Sequence, residues 1–79
     1  MSREEIYDRL KEIFEDVLDL EDVELKDETT AEDIEEWDSL AHITLIAEIE
    51  DEFEIKFPMK YVLSMKNVGE MVSIIEELL

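Results

Sequence analysis

The side chains that could do chemistry lie together in one short stretch, "EEWDSLAHI", around Ser39. Ser39, Asp38 and His42 carry a hydroxyl, a carboxylate and an imidazole, the three groups of a hydrolase triad. Ser39 and His42 are three residues apart, so they could meet on a helix. Asp38, however, adjoins Ser39 instead of lying behind the imidazole, and the chain has 1 glycine with which to build an oxyanion loop. We therefore predict that the chain is not an enzyme and that His42 is a surface or partner-facing residue.

Ser39 has a second, purely structural interpretation. Ser and Asp are preferred helix N-caps because their oxygens accept the unpaired amide hydrogens of the first turn. Asp38 or Ser39 would therefore cap a helix under any function. A hydroxyl at a helix N-terminus also lies close to the positive end of the helix dipole, where an attached phosphate would be stabilised. The residues leave both interpretations open.

The charge of the chain limits the partners that it can bind. Among 79 residues, 25 are acidic and 7 are basic, which gives a net charge of -18. Such a surface repels nucleic acid and anionic membranes, whereas it attracts basic patches on other proteins. We therefore predict protein partners with basic docking patches, and no nucleic acid.

Missing residue types and motifs exclude several kinds of site. The chain has no cysteine, which excludes disulfides, thiolate catalysis and cysteine metal centres. The stretches "DLEDVELKDE" and "EIEDEFEI" lack the glycine that an EF-hand loop requires, so we predict no dedicated metal site. No apolar run reaches the ~18 residues that suggest a membrane helix, and "MSREEIYDRL" has no signal-peptide pattern. We expect a cytoplasmic protein without a membrane span.

Hydrophobic spacing predicts a first helix from Ser2 to Val17 or Leu18. Its apolar side chains recur at steps of three and four residues, as on one face of a helix. They are Ile6, Leu10, Ile13, Val17 and Leu20. Ser2 and Glu5 form the signature of a capping box.

Residues 19–38 lose that period and are rich in Asp, Glu and Thr. We predict a long ordered loop, pinned against the helices by isolated apolar side chains, among them Trp37. A short helical turn near residues 31–35 is compatible with the sequence. Loops of this length in small domains often have a function of their own.

A second helix is predicted from Ser39 to about Glu52, with two apolar rows. Leu45, Ile46, Ile49 and Phe53 recur at core spacing, and Leu40, Ile43 and Ala47 form a second row beside them. The apolar arc is wider than one core contact needs. Either the helix is nearly central in the fold, or the second row is exposed for a partner.

The last third of the chain is predicted to hold a connector and two further helices. "FEIKFP" is expected to be extended and to bury both of its aromatic side chains. Pro58 suits the first turn of a short helix, "PMKYVLSM", and Asn67 with Glu70 is the cap pair of a last helix, "NVGEMVSIIEELL". Tyr61 and the methionines Met59, Met65 and Met71 are interpreted as packing residues.

These elements define the predicted fold class. It is all-α, a small antiparallel four-helix bundle with three main helices, one short third helix and a long first loop. We predict that residues 1–79 form a single domain.

The whole pattern resembles the acyl carrier protein family. The shared features are "DSL" at residues 38–40 opening a helix, the continuation "LIAEIEDEFEI", the acidic composition, the long first loop and the short helix before the last. The resemblance implies a carrier domain with a 4'-phosphopantetheine arm. A phosphopantetheinyl transferase would attach the arm covalently to Ser39, using coenzyme A and magnesium. The thiol of the arm would then carry an acyl or aminoacyl group as a thioester.

The resemblance also implies roles for the neighbours of Ser39. Asp38 and Leu40 would take part in cofactor attachment, and Asp38 would help to engage the transferase and its metal. The residues that match the family's partner-recognition helix are Leu40, Ile43, Ala47, Glu50 and Asp51. The implied partners are the transferase, an acyl- or aminoacyl-loading enzyme, and downstream condensing or transfer enzymes. The carrier is expected to be a monomer, and an acyl chain could fold back between the second and third helices.

Two departures from bacterial fatty-acid carriers concern the pathway. Those carriers usually have a small residue before DSL, where this chain has Trp37, and they often have acids soon after the serine, where this chain has Ala41, His42 and Thr44. The motif is therefore more similar to that of specialised stand-alone carriers, as found in polyketide, modified-lipid or surface-polysaccharide pathways.

An alternative from a different class remains open at this point. An acidic helical adaptor could dock a basic protein partner without any prosthetic group. Both hypotheses predict the same fold and the same charge. They differ at Ser39, whose hydroxyl a carrier needs and an adaptor does not.

Overall fold

The computed structural model describes residues 1–79, apart from the side chain of Leu63. It contains four helices, which are α1 (Arg3–Leu18), α2 (Ser39–Phe53), α3 (Met59–Ser64) and α4 (Val68–Leu78). Across the described backbone, every regular element is helical. The predicted all-α fold with a short third helix and a long first loop is therefore confirmed.

Two contacts fix the relative direction of α1 and α2. Arg9, in the first half of α1, forms an ion pair of 2.6 Å with Glu52 at the end of α2. Phe14, later in α1, packs edge-to-face on Trp37 just before α2 begins, with ring centroids 5.1 Å apart. Because the contact order reverses along the two helices, α1 and α2 run antiparallel.

The predicted helix caps are present. The Ser2 hydroxyl accepts a hydrogen bond of 3.2 Å from the Glu5 amide, and the Glu5 side chain accepts one from the Ser2 amide, which completes the capping box. Asn67 Oδ1 accepts a hydrogen bond of 2.8 Å from the Glu70 amide at the start of α4. These side chains satisfy amide groups that a helix end leaves unpaired.

The apolar faces of the helices meet in one core. Burial of this kind contributes about 25 cal/mol per Å² of apolar surface removed from water. The core row predicted for α2 is buried, but the row predicted for α1 is only partly right. Ile6 and Leu10 are buried, Ile13, Val17 and Leu20 are half-buried, and Phe14 and Leu18 are buried in their place. The buried apolar residues are Ile6, Leu10, Phe14, Leu18, Ile34, Trp37, Leu45, Ile46, Ile49, Phe53, Ile55, Phe57, Val68, Met71, Val72 and Ile75.

The loop at residues 19–38 is ordered by its contacts with α4. The Val68 amide donates a 2.9 Å hydrogen bond to the Thr29 carbonyl, and the Gly69 amide donates a 3.0 Å bond to the Asp27 carbonyl. The loop carbonyls therefore satisfy first-turn amides of α4. A Cβ atom on Gly69 would lie 3.0 Å from the Asp27 carbonyl oxygen, so glycine permits this close approach. Residues 31–35 contain turns and no helix.

The connector between α2 and α3 is extended and buries alternate side chains. Ile55 and Phe57 are buried, and Lys56 between them is exposed. Glu54, in the left-handed region at φ 55°, ends α2 and turns the chain into the connector. Phe53 and Phe57 are both buried, as predicted from "FEIKFP".

The interpretation of Met59 as a packing residue is wrong, because 71% of Met59 is exposed. Met71 is fully buried and Met65 is half-buried. Among the described residues, no helix has the combination of length and apolar character that crossing a membrane requires.

Candidate functional site

Asp38, and not Ser39, caps helix α2. The Asp38 backbone is extended, and its Oδ1 atom accepts a hydrogen bond of 2.8 Å from the Ala41 amide. The Asp38 carbonyl accepts the first intrahelical bond, at 2.9 Å from the His42 amide. Ser39 is therefore the first helical residue, and its side chain is exposed. Of the two caps left open by the sequence, the structure selects Asp38.

The start of α2 offers an electropositive environment beside the Ser39 hydroxyl. The first amide hydrogens of a helix have no acceptor within the helix, and here Asp38 occupies that of Ala41. The amides of Ser39 and Leu40 precede it at the same end. An anion linked to the Ser39 oxygen would therefore lie close to backbone N–H groups and to the positive end of the helix dipole.

A cleft of about 540 Å³ opens beside Ser39. It lies between the start of α2 and the end of α3, and its lining combines apolar and polar side chains. The lining residues are Ala31, Trp37, Asp38, Ser39, His42, Ile43, Val62, Met65 and Lys66. Sequence reasoning placed the second and third helices on either side of such a space but missed Ala31, Val62, Met65 and Lys66 as lining residues.

His42 is half-buried and lines this cleft beside Ser39 as part of a hydrogen-bonded chain. It is therefore not simply a surface residue, and its partner-facing role stays a prediction. The Trp37 indole nitrogen is 3.2 Å from His42 Nδ1, and His42 Nε2 is 3.0 Å from the Val62 carbonyl oxygen. An indole N–H can only donate, so Nδ1 accepts and the Nε2–H group donates to Val62. The rings of Trp37 and His42 also stack, with centroids 6.0 Å apart.

The sequence did hold a signal for the position of His42. It lies three residues before Leu45 and seven before Ile49, both of which are buried. Residues at these spacings share a helix face, so His42 extends the core row of α2. Its polarity led to the surface interpretation, although a histidine with partners for both ring nitrogens can be partly buried.

The second apolar row of α2 faces solvent. Leu40 is 78% exposed and Ile43 is 57% exposed, and Ala47 and Asp51 are exposed as well. Steps of three and four residues place these four side chains along one line of the helix. Of the two explanations for the wide apolar arc, the structure favours a row available to a partner. We call Leu40, Ile43, Ala47 and Asp51 the α2 face.

Glu50 differs from the rest of the predicted partner residues. It is half-buried, and its carboxylate accepts a hydrogen bond of 2.7 Å from the Phe57 amide. That bond stabilises the turn in which Glu54 leads the chain out of α2. Glu50 therefore has a structural contact that the sequence did not suggest.

The ionisable groups with displaced pKa values lie away from Ser39. Burial, followed by the hydrogen bond that Tyr7 donates to Asp27, raises the pKa of Tyr7 to about 12. The bonds from Tyr7 and Arg3 hold the pKa of Asp27 below its usual value. Arg3 also pairs with Glu76 at 2.6 Å. This cluster links the first loop to α1 and α4, so its role is structural.

Among the described residues, no group of three or more Asp, Glu or His side chains is arranged to hold a metal ion. At Ser39 the structure presents an exposed hydroxyl, the N-terminal end of a helix and an open cleft. These suit the attachment of a group to the oxygen.

Comparison with known proteins identifies the family. Residues 8–75 match the model for the phosphopantetheine attachment site. An acyl carrier protein from Clostridium perfringens is 36% identical over 72 residues, which cover 91% of this chain and 95% of that protein. The chain belongs to the acyl carrier protein family.

Two further relatives of the carrier agree in sequence and fold. A meromycolate extension acyl carrier protein from Mycolicibacterium aurum is 31% identical over 77 residues, which cover 98% of the carrier and 79% of that protein. The solution structure of a holo acyl carrier protein from Geobacter metallireducens superposes with a TM-score of 0.84 and 38% identity, covering 90% of the carrier and 82% of that chain.

Membership settles the class of function. The carrier is not an enzyme; its prosthetic group is covalently attached 4'-phosphopantetheine, and it works with a phosphopantetheinyl transferase and with biosynthetic enzymes. The adaptor hypothesis, which had no prosthetic group, is thereby replaced. The start of α2 fits such a group, because an exposed hydroxyl lies beside free helix amides and an open cleft.

Proposed function

We propose that Ser39 is the residue to which phosphopantetheine is attached. The observation that carries this proposal is the division of roles at the start of α2, where Asp38 makes the cap bond and Ser39 is left exposed. The hydroxyl therefore can react without loss of a helix contact. The unpaired amides of Ser39 and Leu40 stabilise the negative charge of a phosphodiester at this oxygen.

The residues around Ser39 have separate roles in this proposal. When attached, the prosthetic group supplies a thiol that holds an acyl or aminoacyl group as a thioester. Asp38 holds the first turn of α2 rigid, so that the attachment point is fixed relative to the cleft. Asp38 and Leu40, which flank Ser39 and are both exposed, present the site to the transferase, and Asp38 lies where it can approach the magnesium that the enzyme brings.

We propose the α2 face as the surface that partner enzymes recognise. Leu40 and Ile43 provide exposed apolar area, and Asp51 with the neighbouring exposed Glu48 provides negative charge. A partner with an apolar contact surrounded by basic side chains complements this combination. Such partners include the loading enzyme and the downstream condensing or transfer enzymes. Glu50 contributes charge to the same helix, although its carboxylate is bonded to the Phe57 amide.

The test of the attachment site is an intact-mass measurement. The protein is incubated with coenzyme A, magnesium and a broad-specificity phosphopantetheinyl transferase. We expect one added phosphopantetheine in the wild type and none in Ser39→Ala. Ser73→Ala is the matched control, because Ser73 is an exposed helical serine in α4, and it should be loaded like the wild type. Loading of Ser39→Ala would contradict the proposal.

The pathway proposed for the carrier is a specialised one. Trp37 and His42 give the cleft an aromatic and polar surface, and one of the relatives named above is a carrier for meromycolate extension. We further propose that residues 1–79 form one carrier domain that works as a cytoplasmic monomer. Analytical ultracentrifugation measures the oligomeric state, and coincident unfolding transitions from two spectroscopic probes would support one cooperative domain.

A further inference from the structure

Two hydrogen bonds in series cross the space between α2 and α3. The Trp37 indole donates to His42 Nδ1 over 3.2 Å, and His42 Nε2 donates to the Val62 carbonyl over 3.0 Å. We call this chain the Trp37–His42–Val62 bridge. It joins the residue that precedes the cap of α2, the first turns of α2, and the middle of α3.

The bridge lies between Ser39 and the core. Trp37, His42 and Val62 all line the cleft that opens beside Ser39. Further along the same face of α2, Leu45 and Ile49 are fully buried. A chain that entered from Ser39 towards the core between α2 and α3 would therefore meet the bridge first.

Displacing the bridge carries a cost that apolar side chains would not impose. Trp37 is only 7% exposed, so its indole N–H would lose its acceptor in a nearly buried position. The Val62 carbonyl would lose its donor as well. Leaving buried polar groups without partners is more costly than an ordinary hydrogen bond is favourable, so the bridge resists an alkyl chain more strongly than its two bonds suggest.

We propose that the Trp37–His42–Val62 bridge closes the passage between α2 and α3 and confines the cargo to the open cleft. The carrier is therefore adapted to short acyl or aminoacyl groups and not to long alkyl chains. The inference rests on the proposed function, since the cargo reaches the cleft through Ser39. The mixed lining supports it, because Ile43 and Met65 offer apolar contact and Lys66 offers polar contact to a short group.

The test compares carriers loaded with acyl groups of increasing length. A transferase loads the wild type from acetyl-, butyryl-, octanoyl- and dodecanoyl-coenzyme A, and intact mass verifies each product. Thermal unfolding reports whether the chain is buried, because burial in the folded state raises the melting temperature. The 1 tryptophan of the protein gives one indole N–H resonance, which reports on the bridge directly.

We expect the wild-type melting temperature to be independent of chain length and the indole resonance to stay unchanged. In His42→Ala, which removes the middle of the bridge, we expect the melting temperature to rise from acetyl to dodecanoyl. Thr44→Ala is the matched control, since Thr44 is exposed on the same helix and does not line the cleft. It should behave like the wild type.

Two results would overturn the inference. One is a wild-type melting temperature that rises with chain length while the indole resonance shifts, because long chains would then displace the bridge. The wild-type series alone gives this result, even if His42→Ala does not fold. The other is a folded His42→Ala carrier with no dependence on chain length. A failure to load Ser39 at all would instead contradict the proposed function, so the two failures are distinguishable by mass.

Discussion

Asp38 Oδ1 lies 2.8 Å from the amide of Ala41, and this bond caps α2 one residue before the exposed Ser39 hydroxyl. The hydroxyl thus has no part in starting the helix. Removing the hydroxyl should therefore prevent loading without weakening the fold, whereas removing the Asp38 carboxylate should weaken the fold.

Stability measurements separate these two adjacent positions. Ser39→Ala should change the free energy of unfolding by less than about 0.5 kcal/mol, as at other exposed positions without a special contact. Asp38→Ala should lower it by about 1 kcal/mol, because the cap is lost. Urea unfolding measures both. Asp38→Asn is the control that keeps a capping oxygen, and its stability should stay close to that of the wild type. A larger loss of stability in Ser39→Ala than in Asp38→Ala would contradict the assignment of the cap to Asp38.

Charge on the α2 face should govern the encounter with the transferase. Asp51→Lys is expected to lower kcat/KM for loading about fivefold, which corresponds to about 1 kcal/mol, the upper end for an exposed pair. The remaining rate should depend less on salt. Glu77→Lys, an exposed acid on α4, provides the same change of charge elsewhere. Equal effects of the two variants would indicate that only the net charge matters.

Gly69 should be sensitive to a single added methyl group. In Gly69→Ala the Cβ atom would meet the Cβ and the carbonyl oxygen of Asp27, both at 3.0 Å, and the Cα at 3.1 Å. Since two of these are backbone atoms, the loop must move. Overpacking costs about 1–3 kcal/mol, and alanine in a helix recovers up to about 1 kcal/mol. We expect a net loss near 1–2 kcal/mol in urea unfolding.

The control for that substitution is Glu77→Ala, at an exposed position in the same helix. It changes helix propensity without a steric contact and should be nearly neutral. A Gly69→Ala variant more stable than the wild type would mean that the loop at residues 19–38 yields to α4 without cost.

The contact between Tyr7 and Asp27 predicts a pH dependence at both extremes. The pKa of Tyr7 is raised from 10.0 to about 12, so its contribution to stability is complete below pH 10 and is lost as the pH rises towards 12. The pKa of Asp27 is lowered from 3.8, so its contribution is present above that pH and is lost as the pH falls through the lower folded value.

Tyrosinate absorbance measures the first effect. In a Tyr61→Phe background only Tyr7 titrates, since the chain has 2 tyrosines. Asp27→Asn should lower the pKa of Tyr7 from about 12 but leave it above 10.0, because burial is the larger cause and remains. An unchanged pKa of Tyr7 in Asp27→Asn would show that burial alone raises this pKa and that the Asp27 carboxylate does not contribute.

Repulsion among the acids should make stability depend on salt. At a net charge of -18, screening by sodium chloride should raise the melting temperature. Glu12 and Glu48 lie together in an acidic depression between α1 and α2, so Glu12→Gln/Glu48→Gln should show a weaker rise. A melting temperature that is flat with ionic strength in the wild type would contradict this expectation.

The sequence predicted the helices well because their signals are local. Spacing and cap residues such as Ser2, Asn67 and Asp38 act within three or four positions, and each proved to make its bond. The sequence does not determine whether Asp38 or Ser39 is the N-cap, since either type of side chain can accept an amide hydrogen of the first turn. The position of the cap depends on where the chain leaves the extended conformation.

Contacts between residues far apart in the sequence leave no such local signal and could not be predicted. The acceptor for His42 is a carbonyl 20 residues away, and the carboxylate of Glu50 reaches Phe57 only because the chain turns at Glu54. Met59 was assigned to the core because α3, at 6 residues, is too short for a hydrophobic period to distinguish its faces.

The position of the α2 cap on Asp38, and not on Ser39, has a consequence for the cycle of loading and unloading. A carrier is loaded and unloaded many times. If each cycle disturbed the first turn of the helix, the fold would be destabilised each time. Under the proposed attachment at Ser39, the arm is joined to an oxygen that makes no bond in the helix cap, and the acyl group is exchanged at the thiol of the arm. The unmodified, arm-bearing and acylated forms can therefore share one backbone. Enzymes that meet the protein in succession would then find the same shape each time.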